Sequence, residues 1–270
     1  LATQEKMRLM LDRFYNLIGE VLERRESVLR FNVPFLSVSE ISEQYYCEKK
    51  VEMARVLGEI ATERKIIGQE AHEILLKDAV KIKLEEAFRE IFSSKPTLFR
   101  EMPLLAKIKG VVIVGRPDAV LFHSGIPLCL FEYKFTARRV PFRDMHVQAK
   151  LYGLLLNEMG FDTERLKYAI ILVPQEFKDN EEVRRLPLLI IKRRFPHRIE
   201  TEKAAIFIND FNKSEALKEL EWAIEYWLNK REAKPTSKLG KCRSCEYAEK
   251  CLSEAKEPKE QATASRDTEP

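Results

Sequence analysis

Two carboxylates set inside apolar strands constrain this chain more than any other feature. Asp118 follows Gly115-Arg116-Pro117, and Glu132 stands in the run Leu130-Phe131-Glu132-Tyr133-Lys134. The residues around both are those of a buried strand. Burying a charge is costly unless it is paired or binds a metal, so the fold must bring the two acids to a common partner. Ser124-Gly125 between them marks a hairpin turn. If Ser124, Gly125 and Ile126 form a three-residue loop, His123 opposes Pro127 and Asp118 lies across from Glu132 on one face. A two-residue loop moves the register by one and sends the acids to opposite faces. Lys134, two residues beyond Glu132, shares its face. Two facing carboxylates suit Mg²⁺ or Mn²⁺. A lysine beside them can orient a water or stabilise charge on a phosphate. The competing reading makes both acids rim charges paired with Arg116 and Lys134.

The rest of the chain sorts by period. Residues 1–30 carry apolar side chains at helical spacing, and Pro34 ends that helix. Ser37 with Glu40 resembles a capping box that opens a short helix toward Cys47. A helical pattern runs over 51–92 with one interior glycine, Gly68. Strands are predicted at 98–107, 111–114, 117–122, 128–135, 166–173 and 186–193, with helices at 143–159 and 214–230. Residues 252–270 hold one large apolar residue, Leu252, and read as a disordered tail. The expected organisation is a helical extension over 1–34, a helical region over 35–95, an α/β core over 96–212, a C-terminal cysteine-bearing segment over 213–251, and the tail.

Of 270 residues, 45% are hydrophobic, which is enough for a core. The 47 basic and 43 acidic residues leave a net charge of +4, so any nucleic-acid binding must come from a local patch. No run approaches the ~20 apolar residues of a membrane span. The start of the sequence has no secretory pattern. A cytoplasmic protein without membrane contact is expected.

The five cysteines are unevenly spread. Cys242-Arg243-Ser244-Cys245 is a two-spaced knuckle, and Cys251 follows. Three thiolates leave a tetrahedral site open. Cys129, between Leu128 and Leu130, reads as a core residue facing away from Glu132. Cys47, in a polar and aromatic context, is the expected fourth ligand. Zinc and an iron–sulfur cluster both fit this spacing.

Pro117-Asp118 and Glu132-Tyr133-Lys134 resemble the PD-(D/E)xK nuclease signature. Gly68 with His72 upstream, and Gln148 with Tyr152 at i and i+4 downstream, resemble the RecB-like branch of that superfamily. With one N-terminal and three C-terminal cysteines, the chain resembles the CRISPR-associated exonuclease family, fourth of the numbered Cas proteins, and is similar to the AddB type of helicase–nuclease. The resemblance covers about residues 35–251. It implies a restriction-endonuclease-like α/β fold, a mixed central sheet flanked by helices, and a helical Fe–S subdomain built from both chain ends. It implies Asp118, Glu132 and Lys134 as catalytic. His72 and the Tyr133 carbonyl become further ligands of Mg²⁺ or Mn²⁺. A [4Fe–4S] cluster falls to Cys47, Cys242, Cys245 and Cys251, and Gln148 and Tyr152 hold the DNA strand. The implied activity is 5′-to-3′ exonuclease action on single-stranded DNA or DNA ends, in spacer acquisition with CRISPR integration proteins or in repair. The rival readings are a non-catalytic DNA-binding and assembly module, and a structure-specific endonuclease. Oligomers fit either.

Two basic runs carry aromatic residues. Arg138, Arg139 and Arg143 interleave with Phe135 and Phe142, and Lys192, Arg193, Arg194 and Arg198 flank Phe195. If both border the acids they form a cationic groove suited to single strands. Tyr46, with Tyr45 beside it, is a further candidate for stacking on bases.

Overall fold

The computed structural model describes residues 2–23, 26–62, 65–66, 69–70, 73, 75–76 and 79–254. Gly68 and His72 lie outside them. Local sequence signals set the first elements. The capping box forms: the Ser37 hydroxyl accepts from the Glu40 N–H at 3.1 Å, and the Ser37 N–H donates to Glu40 Oε2 at 3.2 Å. It separates helix α1 (Ala2–Glu23) from α2 (Val38–Leu57). Cys47 interrupts α2 with an extended backbone, φ −170° and ψ 115°, so the helix kinks at the expected cluster residue. The continuous helix expected over 51–92 does not form. Gly58, at φ +87°, stops α2 in a conformation that favours glycine. The described residues 65–66, 69–70, 73 and 75 are helical again, 79–83 are not, and helix α3 spans Leu84–Ile91.

The single central sheet expected from the sequence is two mixed sheets. The smaller has the order β1 (Leu36–Ser37), β4 (Val111–Gly115), β3 (Leu104–Ile108), with β1 parallel to β4. The larger has the order β2 (Thr97–Arg100), β5 (Ala119–His123), β6 (Ile126–Phe135), β7 (Lys167–Val173), β9 (Ala205–Asp210), β8 (Arg198–Glu200). Only β6 and β7 pair in parallel, and helix α4 (Arg143–Glu158) connects them. The division arises where one strand was expected over 98–107. Glu101 adopts φ +49° and Pro103 has no N–H, so the chain breaks there and its two halves join different sheets.

The strand expected over 186–193 is also overturned. After a short helix α5 (Glu181–Arg184), residues Leu186–Lys192 form helix α6, with Pro187 in its first turn. Proline is preorganised for that position, and Leu186 and Ile190 are buried at helical spacing while Leu188 is exposed. An apolar run of this length does not distinguish strand from helix by itself. Helix α7 (Lys213–Trp227) forms as the sequence predicts, followed by α8 (Leu239–Cys242) and α9 (Ala248–Glu254). Helix α9 carries the chain through Leu252, so the expected tail begins inside a helix; residues 255–270 lie outside the described set.

The larger sheet has two covered faces. Leu130, Ile170 and Leu172 belong to the core that includes Val147, Leu151 and Leu155 of α4. Cys129, Phe131, Tyr133 and Ile171 alternate to the other face, against Leu186 and Ile190 of α6. Glu132 and Lys134 therefore point to the α4 side.

Candidate active site and cysteine cavity

The hairpin places the acids together, but by a different route from the three-residue loop. His123 pairs with Ile126, so the loop has two residues, Ser124 and Gly125. Both have positive φ, +51° and +79°, as a tight primed turn requires. A Cβ on Gly125 would lie 2.5 Å from the Phe92 ring, and the turn docks on α3 through Gly125 N–H to Ile91 O at 2.8 Å. Such a loop alone would put the acids on opposite faces. The register then shifts between Leu121 and Phe122: Phe122 faces Pro127, whereas Leu121 faces Cys129. Leu128 is the extra residue of a β-bulge. Beyond it Ala119 pairs with Phe131, so the continuing register brings Asp118 across from Glu132.

Both acids are buried, at 7% and 3% exposure. Asp118 Oδ2 accepts from the Tyr133 N–H at 2.6 Å. Lys134 Nζ donates to Glu132 Oε1 at 2.8 Å and to Gln148 Oε1 at 2.8 Å. Gln148 Nε2 donates to the Tyr152 hydroxyl at 3.0 Å. One relay thus links β6 to consecutive turns of α4. Burial alone would lower the Lys134 pKa; Glu132, Asp118 and Asp144 outweigh it and hold the ammonium above its ordinary value. Burial, then the Glu132 charge, raises the Tyr152 hydroxyl well above its usual range, so it stays protonated. Gly115 permits this contact, since a Cβ there would lie 2.8 Å from the Tyr152 ring.

Cys47, Cys242, Cys245 and Cys251 line one cavity, while Cys129 is fully buried in the sheet. Burial is the first cause that raises the Cys245 and Cys251 thiols, and the Cys47 charge adds to it in both. The cavity joins two distant stretches of chain. Glu48, beside Cys47, is buried and takes both Arg231 NH1 and NH2, at 2.6 and 2.7 Å, together with the Lys234 N–H at 2.8 Å. The Thr236 N–H donates to Cys47 Sγ at 3.4 Å, and Lys241 Nζ donates to the Tyr46 carbonyl at 2.8 Å.

The remaining candidates separate. Arg138 stacks over Phe142 at 4.3 Å and Arg143 over Tyr45 at 4.8 Å. Arg139 is held by the β8–β9 connection, donating to Ala204 O at 3.2 Å and to Glu200 at 3.3 Å, so its guanidinium closes that connection. Tyr46 lies under Lys241 at 4.1 Å and lines the cysteine cavity. The second basic run does not border the acids. It follows α6, and Phe195 packs on the sheet face opposite Glu132. Sequence reasoning missed Asp144 and Lys241, which interact with each other between the two sites. Asp144, one turn before Gln148, and Lys241, next to Cys242, were the available signals.

Residues 13–252 match the family pattern described as the PD-(D/E)XK nuclease superfamily. The chain belongs to that superfamily. No curated protein matches it. A solved structure titled "Crystal structure of SSO0001" is similar, with 14% identity, a TM-score of 0.48, and coverage of 93% of this chain and 96% of that one.

The mixed α/β architecture fits the restriction-endonuclease-like fold of the superfamily, whose members are typically metal-dependent nucleases using Mg²⁺ or Mn²⁺ on DNA. The donors here suit such an ion: two buried carboxylates on one face are hard oxygen ligands. Among the described residues no three His, Cys, Asp or Glu side chains stand arranged around one point. The carboxylate pair has two members, and His72, its expected third, is not described. The four cysteines line one cavity without closing around one point either; thiols as a donor type suit zinc or iron–sulfur. No helix among the described residues is long and apolar enough to cross a membrane.

Proposed function

We propose that this chain is a metal-dependent exonuclease that degrades single-stranded DNA or frayed ends. The relay from Glu132 through Lys134 and Gln148 to Tyr152, with Asp118 facing Glu132, is the observation that carries the reading. Asp118, Glu132, the Tyr133 carbonyl and His72 would hold Mg²⁺ or Mn²⁺. The ion would supply a water of lowered pKa and a clamp on the phosphate oxygen. Lys134 carries a proton at neutral pH, so its role is to place the water and to stabilise charge on the phosphorus oxygens. Gln148 fixes the Lys134 ammonium, and Tyr152 fixes Gln148.

Cys47, Cys242, Cys245 and Cys251 would hold a [4Fe–4S] cluster in a structural role, closing a helical subdomain from both chain ends. The shared cavity supports this set, and the resemblance supports iron–sulfur over zinc. The resemblance alone supports 5′-to-3′ polarity and a place in spacer acquisition beside CRISPR integration proteins.

End-labelled linear and circular single-stranded DNA incubated with Mn²⁺ tests the reading. Wild type should shorten the linear strand from its 5′ end and spare the circle. Asp118→Ala should slow this by roughly 10³-fold, the upper range for losing one preorganised electrostatic group. Equal rates in both proteins would reject the site. Cutting of the circle would make the protein an endonuclease. Intact DNA with both proteins would favour a non-catalytic DNA-binding module.

A further inference from the structure

A groove that adjoins the cysteine cavity and shares Cys47 with it runs between α2, the start of α4, α7 and the segment 234–241. Tyr45, Tyr46, Phe142 and Trp222 give it aromatic walls. Lys218, Lys234, Lys238 and Lys241 line it as cations. Lys218, Lys234 and Lys238 are exposed and form no ion pair with another described residue. Its two acids are already offset: Glu219 accepts from Lys150 at 2.7 Å, and Asp144 lies near Lys241 and Lys134. The groove therefore carries uncompensated positive charge beside aromatic faces.

Its position relative to the catalytic relay is fixed by α4. Asp144 lines the groove, and Gln148, which holds Lys134, is one turn further along the same helix face. Asp144 in the groove wall thus stands about 6 Å along the helix from Gln148 of the relay.

We propose that this groove is the track that delivers single-stranded DNA to Asp118 and Glu132; the inference rests on the nuclease reading above. Lysines along one wall suit the phosphate backbone. The aromatic rings among them are half-buried, and each carries a cation over one face: Arg143 on Tyr45, Lys241 on Tyr46, Arg138 on Phe142 and Arg231 on Trp222. That leaves their other faces and edges to unpaired bases, which a duplex keeps stacked internally. Because Tyr46, Cys47, Pro235, Thr236 and Lys241 line both the groove and the cysteine cavity, the cysteine-bearing segment forms one wall of the track.

The test measures binding apart from cleavage. Fluorescence anisotropy of a short labelled oligothymidine is recorded over a salt series, with Ca²⁺ replacing Mn²⁺. The proteins are wild type, Lys218→Glu, the pair Lys234→Glu with Lys238→Glu, and Lys192→Glu on the opposite face of the sheet. The groove variants should bind roughly tenfold or more weakly, and the slope of log K against log salt should shrink by about 0.7 for each lysine removed. Lys192→Glu should bind as wild type does. Lys218 stands on α7 away from the cysteine-bearing segment, so its variant reads the track even if the other pair disturbs the cluster wall. Unchanged affinity and slope in Lys218→Glu, an equal loss in Lys192→Glu, or equal binding of a blunt duplex would overturn the proposal. A chain that binds through these lysines yet cleaves nothing would break the nuclease reading and leave the track standing.

Discussion

Around Lys134 every hydrogen-bond partner comes from a strand of the larger sheet or from the long helix packed on it. Around Cys47 the walls come from a kinked turn of α2, an irregular stretch over 234–238 and two short helices, α8 and α9. The first site is held together by its own hydrogen bonds before anything binds. The second is a cavity between two pieces of chain, held by the Glu48–Arg231 pair and a few main-chain bonds. Preorganisation by a packed core costs nothing at the moment of reaction. A cavity walled by short segments owes its shape to what fills it. Stability and activity should therefore separate at the carboxylates and move together at the cysteines.

The largest expected effect attacks the first half of that contrast. Lys134→Gln should lower the single-strand degradation rate by roughly 10²–10³-fold. It should also destabilise the fold by leaving the buried Glu132 carboxylate without its ammonium. Adding Glu132→Gln should recover the melting temperature, because removing both partners of a buried pair is far cheaper than removing one, while cleavage stays lost. A double variant as unstable as the single one would break the separation.

Cys242→Ala attacks the second half. It should abolish the broad visible absorbance of an iron–sulfur protein and cost about 3 kcal/mol, or a fall of roughly 6–12 °C in melting temperature. Cleavage at a fixed temperature should fall with it. Full colour in this variant would remove Cys242 from the ligand set. Cys129, whose thiol burial pushes far up, should resist alkylation until the sheet unfolds, colour or no colour.

The smallest effect sharpens the contrast away from both sites. Burial, with Lys150 nearby, holds the His146 pKa below its ordinary 6.5. The unfolded chain then takes up the proton first as pH falls. The neutral imidazole stabilises the fold fully above pH 6.5, and that contribution is lost as pH falls through the lowered folded value. His146→Gln should flatten the acid side of a melting-temperature profile recorded below pH 6.5. An unchanged slope would assign the acid sensitivity to other groups.

The acids were legible in the sequence because a charge inside an apolar strand needs a chemical reason. Gln148 and Tyr152 were legible only through the family resemblance; helical spacing by itself says no more than that they share a face. Other features were set by tertiary contacts that leave no local trace. Leu186–Lys192 has no polar alternation to mark its period, and only packing against the sheet decides that it is a helix. The short strand Arg198–Glu200 and its partner Ala205–Asp210 escaped notice, since the first has a single buried residue, Ile199. The break at Gly58 interrupts a pattern that reads as continuous helix over 51–92, while the short helix expected to end at Cys47 continues past its extended backbone to Leu57. Arg139 looked like a phosphate contact, yet backbone carbonyls that no sequence pattern displays take its donors.

The hairpin bulge has a wider consequence for how this chain tolerates length changes. What the chemistry fixes between Asp118 and Glu132 is their pairing across the hairpin, not their distance along the chain. Residues inserted at the turn lengthen the loop and leave that pairing in place, whereas one residue inserted within β5, with no second bulge to absorb it, moves Asp118 one step along β6 and turns it from Glu132. The tip of the hairpin can therefore be remodelled without moving the acids: deleting Leu128 alone would leave a regular two-residue hairpin with Leu121 against Cys129, Ala119 against Phe131 and Asp118 still across from Glu132.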